Sequence, residues 1–163
     1  MKALLIVYHS MTGAAEQLAL AAAAGARTQD GVEVRVHRAP EVGDADVLAA
    51  DGYLFAMPEN LATMAGLMKD FFDRVYYAVL ERINGRPYAA IIAAGTDGAG
   101  AARQVQRIAT GLRLREVAQP LVIRNGAQTP EDILAPKTVP VADLELAREL
   151  GTALAAGLAS GIF

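Results

Sequence analysis

ALLIVYHSMTGAA, residues 3–15, places a continuous apolar run directly before a short polar loop and the start of an alanine-rich segment. An apolar run without alternation is typical of a strand that is covered on both faces. Residues 14–26 predict a helix, because alanine is the strongest helix former. Strand, loop and helix in this order predict the first unit of a parallel α/β sheet.

The same alternation continues along the rest of the chain. Further strands are predicted at residues 32–36, 51–57, 88–94 and 117–123, and further helices at about 63–82, 101–112 and 141–158. Residues 125–140 contain three prolines and no periodicity, which predicts a long surface loop. We therefore expect one domain over residues 1–163, a doubly wound five-stranded parallel sheet in the order 2-1-3-4-5 within three layers, α/β/α.

The composition narrows the classes of function. The net charge of −3 argues against binding to nucleic acid or to an anionic membrane surface. No run of about 18 apolar residues predicts a membrane-spanning helix. The absence of cysteine excludes disulfides, thiolate catalysis and cysteine-ligated metals, and no metal site is predicted. The cytoplasm is the expected location.

Ligands of such sheets bind at the carboxyl ends of the strands, which directs attention to the loops after strands one, three and four. The first loop, Ser10–Ala15, offers hydroxyls and a helix N-terminus to a phosphate group. The alternative is that Ser10 or Thr12 only caps the helix. Neither a Walker loop nor a G-x-G-x-x-G fingerprint is present, and no acidic pair follows strand one, which excludes a phospho-receiver domain.

Two stretches resemble a known family. Ser10-x-Thr12-Gly13 after an apolar strand resembles the flavodoxin phosphate loop, (S/T)-x-(S/T)-G-x-(T/S). Residues 58–74, PENLATMAGLMKDFFDR, are similar to the P-x-x-x-G-N-M-x-x-x-M-K-x-F-x-D stretch of flavodoxin-like NAD(P)H:quinone oxidoreductases and NADPH-dependent FMN reductases. The positions in register are Met64, Met68, Lys69, Phe71 and Asp73. The resemblance covers nearly the whole chain and implies a flavodoxin-like fold that holds FMN.

The chain departs from the family pattern at three points. Ala15 stands where the family has a further hydroxyl for the phosphate. Ala62 and Thr63 replace the usual Gly-Asn, and the chain has no tryptophan that could stack on a flavin. Tyr76 and Tyr77 either pack internally or belong to a face that joins a homodimer or higher homo-oligomer, as the resemblance implies.

The residues expected to bind the cofactor lie in three loops. They are Ser10, Met11, Thr12, Gly13, Ala14 and Ala15, then Pro58, Glu59, Asn60, Leu61 and Ala62, then Gly95, Thr96, Asp97 and Gly98. Two roles are open for Asp97, a cap of the following helix or a contact to the flavin ring. His9 next to Ser10 is not expected to form a hydrolase pair, because adjacent strand residues point to opposite sides.

The resemblance implies an FMN-dependent oxidoreductase that takes a hydride from NAD(P)H and reduces a quinone or a similar small-molecule acceptor. No catalytic side chain is assigned, since the cofactor carries the chemistry. Two alternatives remain open, which are a non-enzymatic flavodoxin-type electron carrier and a flavodoxin-fold binding module that has lost flavin.

Overall fold

The computed structural model describes all residues, 1–163, as seven strands and six helices. The strands are β1 (Lys2–Tyr8), β2 (Val32–Arg38), β3 (Gly52–Asn60), β4 (Thr63–Met64), β5 (Pro87–Ala94), β6 (Arg115–Glu116) and β7 (Leu121–Arg124). The helices are α1 (Ala14–Ala26), α2 (Asp44–Ala49), α3 (Gly66–Val79), α4 (Ala99–Gly111), α5 (Pro130–Leu134) and α6 (Val141–Ser160). None of the helices is long and apolar enough to span a bilayer.

The sheet follows the order β2-β1-β3-β5, and β6 and β7 both pair with β5. All of these pairs are parallel, so the carboxyl ends of β1, β3 and β5 meet at one edge. The predicted flavodoxin-like order is confirmed. The number of strands is seven rather than five for two local reasons.

The first reason is a hairpin after β3. The sequence predicts that Pro58 ends this strand, but β3 continues to Asn60 and turns back into β4 in an antiparallel pair. Residues 63–64, predicted to begin the long helix, form β4, and α3 begins only at Gly66. The second reason is Pro120, which cannot donate to the ladder. Of the predicted fifth strand, residues 117–123, only residues 121–123 form a strand, in β7, and the separate two-residue strand β6 precedes the predicted start.

Two hydrophobic layers cover the sheet. One face, with Val7 and Phe55, packs on α2, α3 and α4. The other face, with Ile6 and Leu54, packs on α1 and α6. Met64, Met68 and Phe71, three of the positions in register with the family motif, are buried on the first of these faces. Alternate residues of each central strand serve opposite layers, which explains why these strands are apolar throughout.

Helices α1 and α6 approach each other so closely that their backbones touch. A Cβ added to Gly151 of α6 would collide with the carbonyl of Ala22 in α1, and one added to Gly25 of α1 would collide with the carbonyl of Arg148. Only small residues permit such an approach. The alanine richness of α1 follows from this position, because the helix is packed against the sheet on one side and against α6 on another.

Candidate functional site

A cavity of about 420 Å³ lies at the carboxyl edge of the sheet, above β1, β3 and β5. This size is within the range of small-molecule sites. Its lining combines the three loops singled out in the sequence with the segment Asn125–Pro140, which we call the strap. Met11, Leu61 and Leu134 expose most of their apolar surface around this cavity, at 78%, 97% and 74%.

The N-terminus of α1 presents unused hydrogen-bond donors to the cavity. Gly13 precedes the helix at φ 101°, and Ser10 Oγ accepts a hydrogen bond from its N–H at 3.1 Å. No protein group accepts from the N–H groups of Ala14, Ala15 or Glu16. Three free amides, the helix dipole and the Thr12 hydroxyl suit an anion with several oxygens, as in a phosphate.

The N-terminus of α4 has the same backbone form, but three of its first four amides, those of residues 98, 99 and 101, already have acceptors. Gly98 precedes this helix at φ 95°. The carboxylate of Glu59 accepts from the N–H groups of Gly98 at 2.8 Å and Ala101 at 3.0 Å. Asp97 Oδ1 accepts from the Ala99 N–H at 3.1 Å, so Asp97 acts as a cap of the helix. Carboxylates of the chain itself therefore fill this second anion position.

The β3–β4 hairpin forms one wall of the cavity. Its two-residue turn, Leu61–Ala62, has φ values of 51° and 63°, a conformation that asparagine and glycine normally supply. The left-handed form costs about 1–2 kcal/mol for each such residue. No protein group accepts from the N–H groups of Leu61 and Ala62, nor from those of Thr96 and Asp97 in the loop after β5. These amides can satisfy the polar edge of a flat heterocycle.

The strap forms a wall of the cavity that the sequence pattern did not predict. It contributes Asn125, Ala127, Ile133, Leu134 and Lys137 to the lining. Two backbone hydrogen bonds hold the strap in this position. The N–H of Gly126 donates to Gly95 O at 2.8 Å, and the N–H of Lys137 donates to Thr12 O at 2.8 Å. One signal could have placed it there, since the strap follows the carboxyl end of a parallel strand.

Two side chains fix the strap over the loop before α1. The Gln17 amide donates to Lys137 O at 2.8 Å and accepts from the N–H of Val139 at 3.0 Å. The Lys137 ammonium donates to backbone carbonyls of the strap, among them Ile133 O at 3.0 Å and Asp132 O at 2.6 Å. Its charge thus stabilises the end of α5.

His9 lies beside the cavity without lining it. Its backbone N–H donates to Ala56 O at 3.1 Å, and its side chain is half-buried. Burial lowers the pKa of His9 below its ordinary value, and the nearby Arg38 lowers it further. No three metal-ligating side chains approach one another closely enough to hold a metal ion.

The structure brings thirteen of the fifteen residues that we predicted from the sequence to this one cavity. They are Ser10, Met11, Thr12, Ala14, Ala15, Pro58, Glu59, Asn60, Leu61, Ala62, Gly95, Thr96 and Asp97. Gly13 and Gly98 do not line it. Gly98 is buried, and a side chain there would meet Val122 and Ala94 rather than a ligand. Both glycines instead provide the left-handed turns that begin α1 and α4.

Comparison with known proteins adds a family match. Residues 43–128 match the model of the family described as NADPH-dependent FMN reductase. A flavodoxin from Aquifex aeolicus is 35% identical, with 59% of this chain and 52% of that protein aligned. An NAD(P)H dehydrogenase (quinone) from Acidithiobacillus ferrooxidans is 36% identical over 45% of this chain and 47% of that protein. The chain thus spans about half the length of these sequence relatives.

Solved structures share the whole fold at low identity. A flavodoxin from the domain Archaea superposes with a TM-score of 0.77 at 17% identity and covers 96% of this chain and 98% of its own. A flavodoxin, WrbA-like protein from Agrobacterium tumefaciens superposes with a TM-score of 0.75 at 18% identity and covers 99% of both chains. At these identities the likeness shows the fold alone.

Proposed function

Since this chain belongs to the NADPH-dependent FMN reductase family, we propose that it binds FMN noncovalently and passes electrons from NAD(P)H to a small-molecule acceptor such as a quinone. The observation that carries the proposal is the open N-terminus of α1. Its free amides face the cavity, whereas two of the three equivalent amides of α4, those of Ala99 and Ala101, already donate to carboxylates of the chain. A single phosphate position in a cavity lined by loops with free amides fits FMN.

FMN, when bound, supplies the hydride and electron chemistry. The chain would hold its phosphate with the N–H groups of residues 14–16 and with the hydroxyls of Ser10 and Thr12. Ser10 Oγ already accepts from Gly13, which leaves its proton free to point at the phosphate. The free amides of the hairpin and of the loop after β5 would satisfy the polar edge of the ring. Ile133 and Leu134 of the strap would keep water from the apolar part of the ligand.

The phosphate assignment is tested by replacing Thr12 with valine and titrating FMN into both flavin-free proteins. Loss of one hydrogen bond to a dianion costs about 1.5–3 kcal/mol, which corresponds to about 10- to 150-fold weaker FMN binding. Riboflavin lacks the phosphate, so its affinity should not change. Thr110→Val is the matched control, because this threonine lies on the exposed surface of α4. Equal FMN affinities of parent and T12V would refute the phosphate site.

A second candidate, the electron carrier, is favoured by the similarity to the Aquifex flavodoxin. Steady-state oxidation of NADH and of NADPH in the presence of a quinone separates the two candidates. An enzyme turns over many equivalents, whereas a carrier leaves the nicotinamide unchanged unless a separate reductase is added. Location in the cytoplasm and self-association stay predictions, and light scattering of the purified protein tests the second.

A further inference from the structure

The clearest feature of the cavity that the proposed function leaves unused is the attachment of the β3–β4 hairpin to the first turn of α4. Glu59 lies in the hairpin and lines the cavity, yet its carboxylate accepts from two amides of another element, Gly98 N–H at 2.8 Å and Ala101 N–H at 3.0 Å. Hydrogen bonds to an ionised group are about twice as strong as neutral ones. This pair therefore joins the two loops that face each other across the cavity.

Two further contacts hold the same elements together. Gln104 Oε1 in α4 accepts from the N–H of Met64 in β4 at 2.6 Å. Gly100 in α4 lies so close to the hairpin that an added Cβ would collide with the carbonyl of Ala62. The strained Leu61–Ala62 turn is thus fixed from one side by α4. The hairpin is therefore joined to the start of α4 by two side chains, Glu59 and Gln104, and by close backbone packing at Gly100.

We propose that Glu59 is a positioning residue that sets the gap between the hairpin and the loop Gly95–Gly98 for the flavin ring. The proposal rests on the proposed function, because it concerns the ring of the same ligand. Glu59 would strengthen binding by pre-organisation, because a cavity wall that is already ordered loses less entropy when a ligand binds. The carboxylate also places a fixed negative charge at the cavity wall, which disfavours a gain of negative charge by the ring.

The test compares Glu59→Gln with Glu149→Gln, a matched control on the exposed surface of α6. A glutamine can accept from only one of the two amides and turns its own NH₂ group towards the other. We expect E59Q to bind FMN and riboflavin about tenfold more weakly, by the same factor for both ligands, because the phosphate end is untouched. The midpoint potential of bound FMN should rise. E149Q should match the parent in all three measurements.

Three results would overturn the proposal. They are unchanged affinity in E59Q, a loss confined to FMN, and a loss of affinity without a change of potential, which would leave Glu59 a purely structural role. Gln104→Met probes the same junction from α4 and should weaken both ligands by a smaller, equal factor. Equal affinities of Q104M and the parent would contradict the coupling of hairpin and helix.

Amide hydrogen exchange of the flavin-free protein separates this proposal from the proposed function. If the parent binds neither FMN nor riboflavin, the proposed function fails, and the junction is judged by exchange alone. Faster exchange at Gly98 and Ala101 in E59Q than in E149Q would support Glu59 as the link between the two loops. Unchanged exchange at both amides would overturn it.

Discussion

Replacing Gly151 with alanine should destabilise the protein although alanine is the better helix former. The added Cβ would meet the carbonyl oxygen, the carbonyl carbon and the Cα of Ala22, all of them backbone atoms of α1. Backbone cannot rotate away as the end of a flexible side chain can, so the two helices must separate. Overpacking of this kind costs about 1–3 kcal/mol, and the rigid neighbour argues for the upper end.

Helix propensity opposes this effect, since alanine in place of glycine gains about 1 kcal/mol within a helix. The net loss in the free energy of unfolding is therefore about 2 kcal/mol. At about 2–4 °C per kcal/mol for a chain of this size, Tm should fall by about 4–8 °C. Thermal unfolding followed by circular dichroism at the helix band measures the shift, with the urea midpoint as a second readout.

The matched control is Gly111→Ala at the end of α4, where an added Cβ meets nothing within 4 Å. This variant should be at least as stable as the parent. If G151A unfolds at the same temperature as G111A, the two helices are not in backbone contact, and close approach is not the reason for the alanine richness of α1.

Three further predictions concern the cavity edge. Ala62→Gly should raise the free energy of unfolding by about 0.5–1 kcal/mol, because relief of the left-handed strain exceeds the entropy cost of glycine; an unchanged urea midpoint would refute this. The lowered pKa of His9, due to burial and to Arg38, means that the unfolded chain takes up its proton first as the pH falls through about 6.5. His9→Gln should thus lose less stability than the parent between about pH 7 and 5 in urea titrations, and parallel losses would contradict it. Gly98→Val should cost about 2–4 kcal/mol, because its side chain meets Val122 in a backbone form that valine avoids; a calorimetric Tm equal to that of the parent would refute the packing.

The parallel sheet could be predicted because its signal is local. Two-sided apolar runs such as residues 3–7 and 88–94 are typical of strands buried between two helical layers, and α1 was placed at its observed ends, Ala14 and Ala26. The three loops were found for the same reason, since position in a parallel sheet determines where ligand loops meet. Whether the chain behaves as a single domain remains a prediction that cooperative unfolding would test.

The hairpin after β3 could not be predicted because its turn contradicts local preference. Leu61–Ala62 lacks the asparagine and glycine that mark a turn with two left-handed residues, so the strand was expected to end at Pro58. Its conformation depends on contacts with α4, which lies about 40 residues away in sequence: Glu59 of the hairpin accepts from Ala101, and Gln104 of the helix accepts from Met64. The strap was likewise missed because tertiary contacts to Thr12 and Gln17, not its own pattern, bring it to the cavity.

The N-termini of α1 and α4 are arranged almost symmetrically about β3. Gly13 and Gly98 have almost the same torsions, φ 101° with ψ −13° and φ 95° with ψ −14°, and they lie on opposite faces of the sheet on either side of β3. A pseudo-two-fold axis along β3 would exchange them. A ligand with one anionic end would then have two near-degenerate orientations, related by a half-turn. Because the Glu59 carboxylate already accepts from two amides at the start of α4, the two ends of the cavity differ, and we would expect the anionic end of a ligand to point to α1.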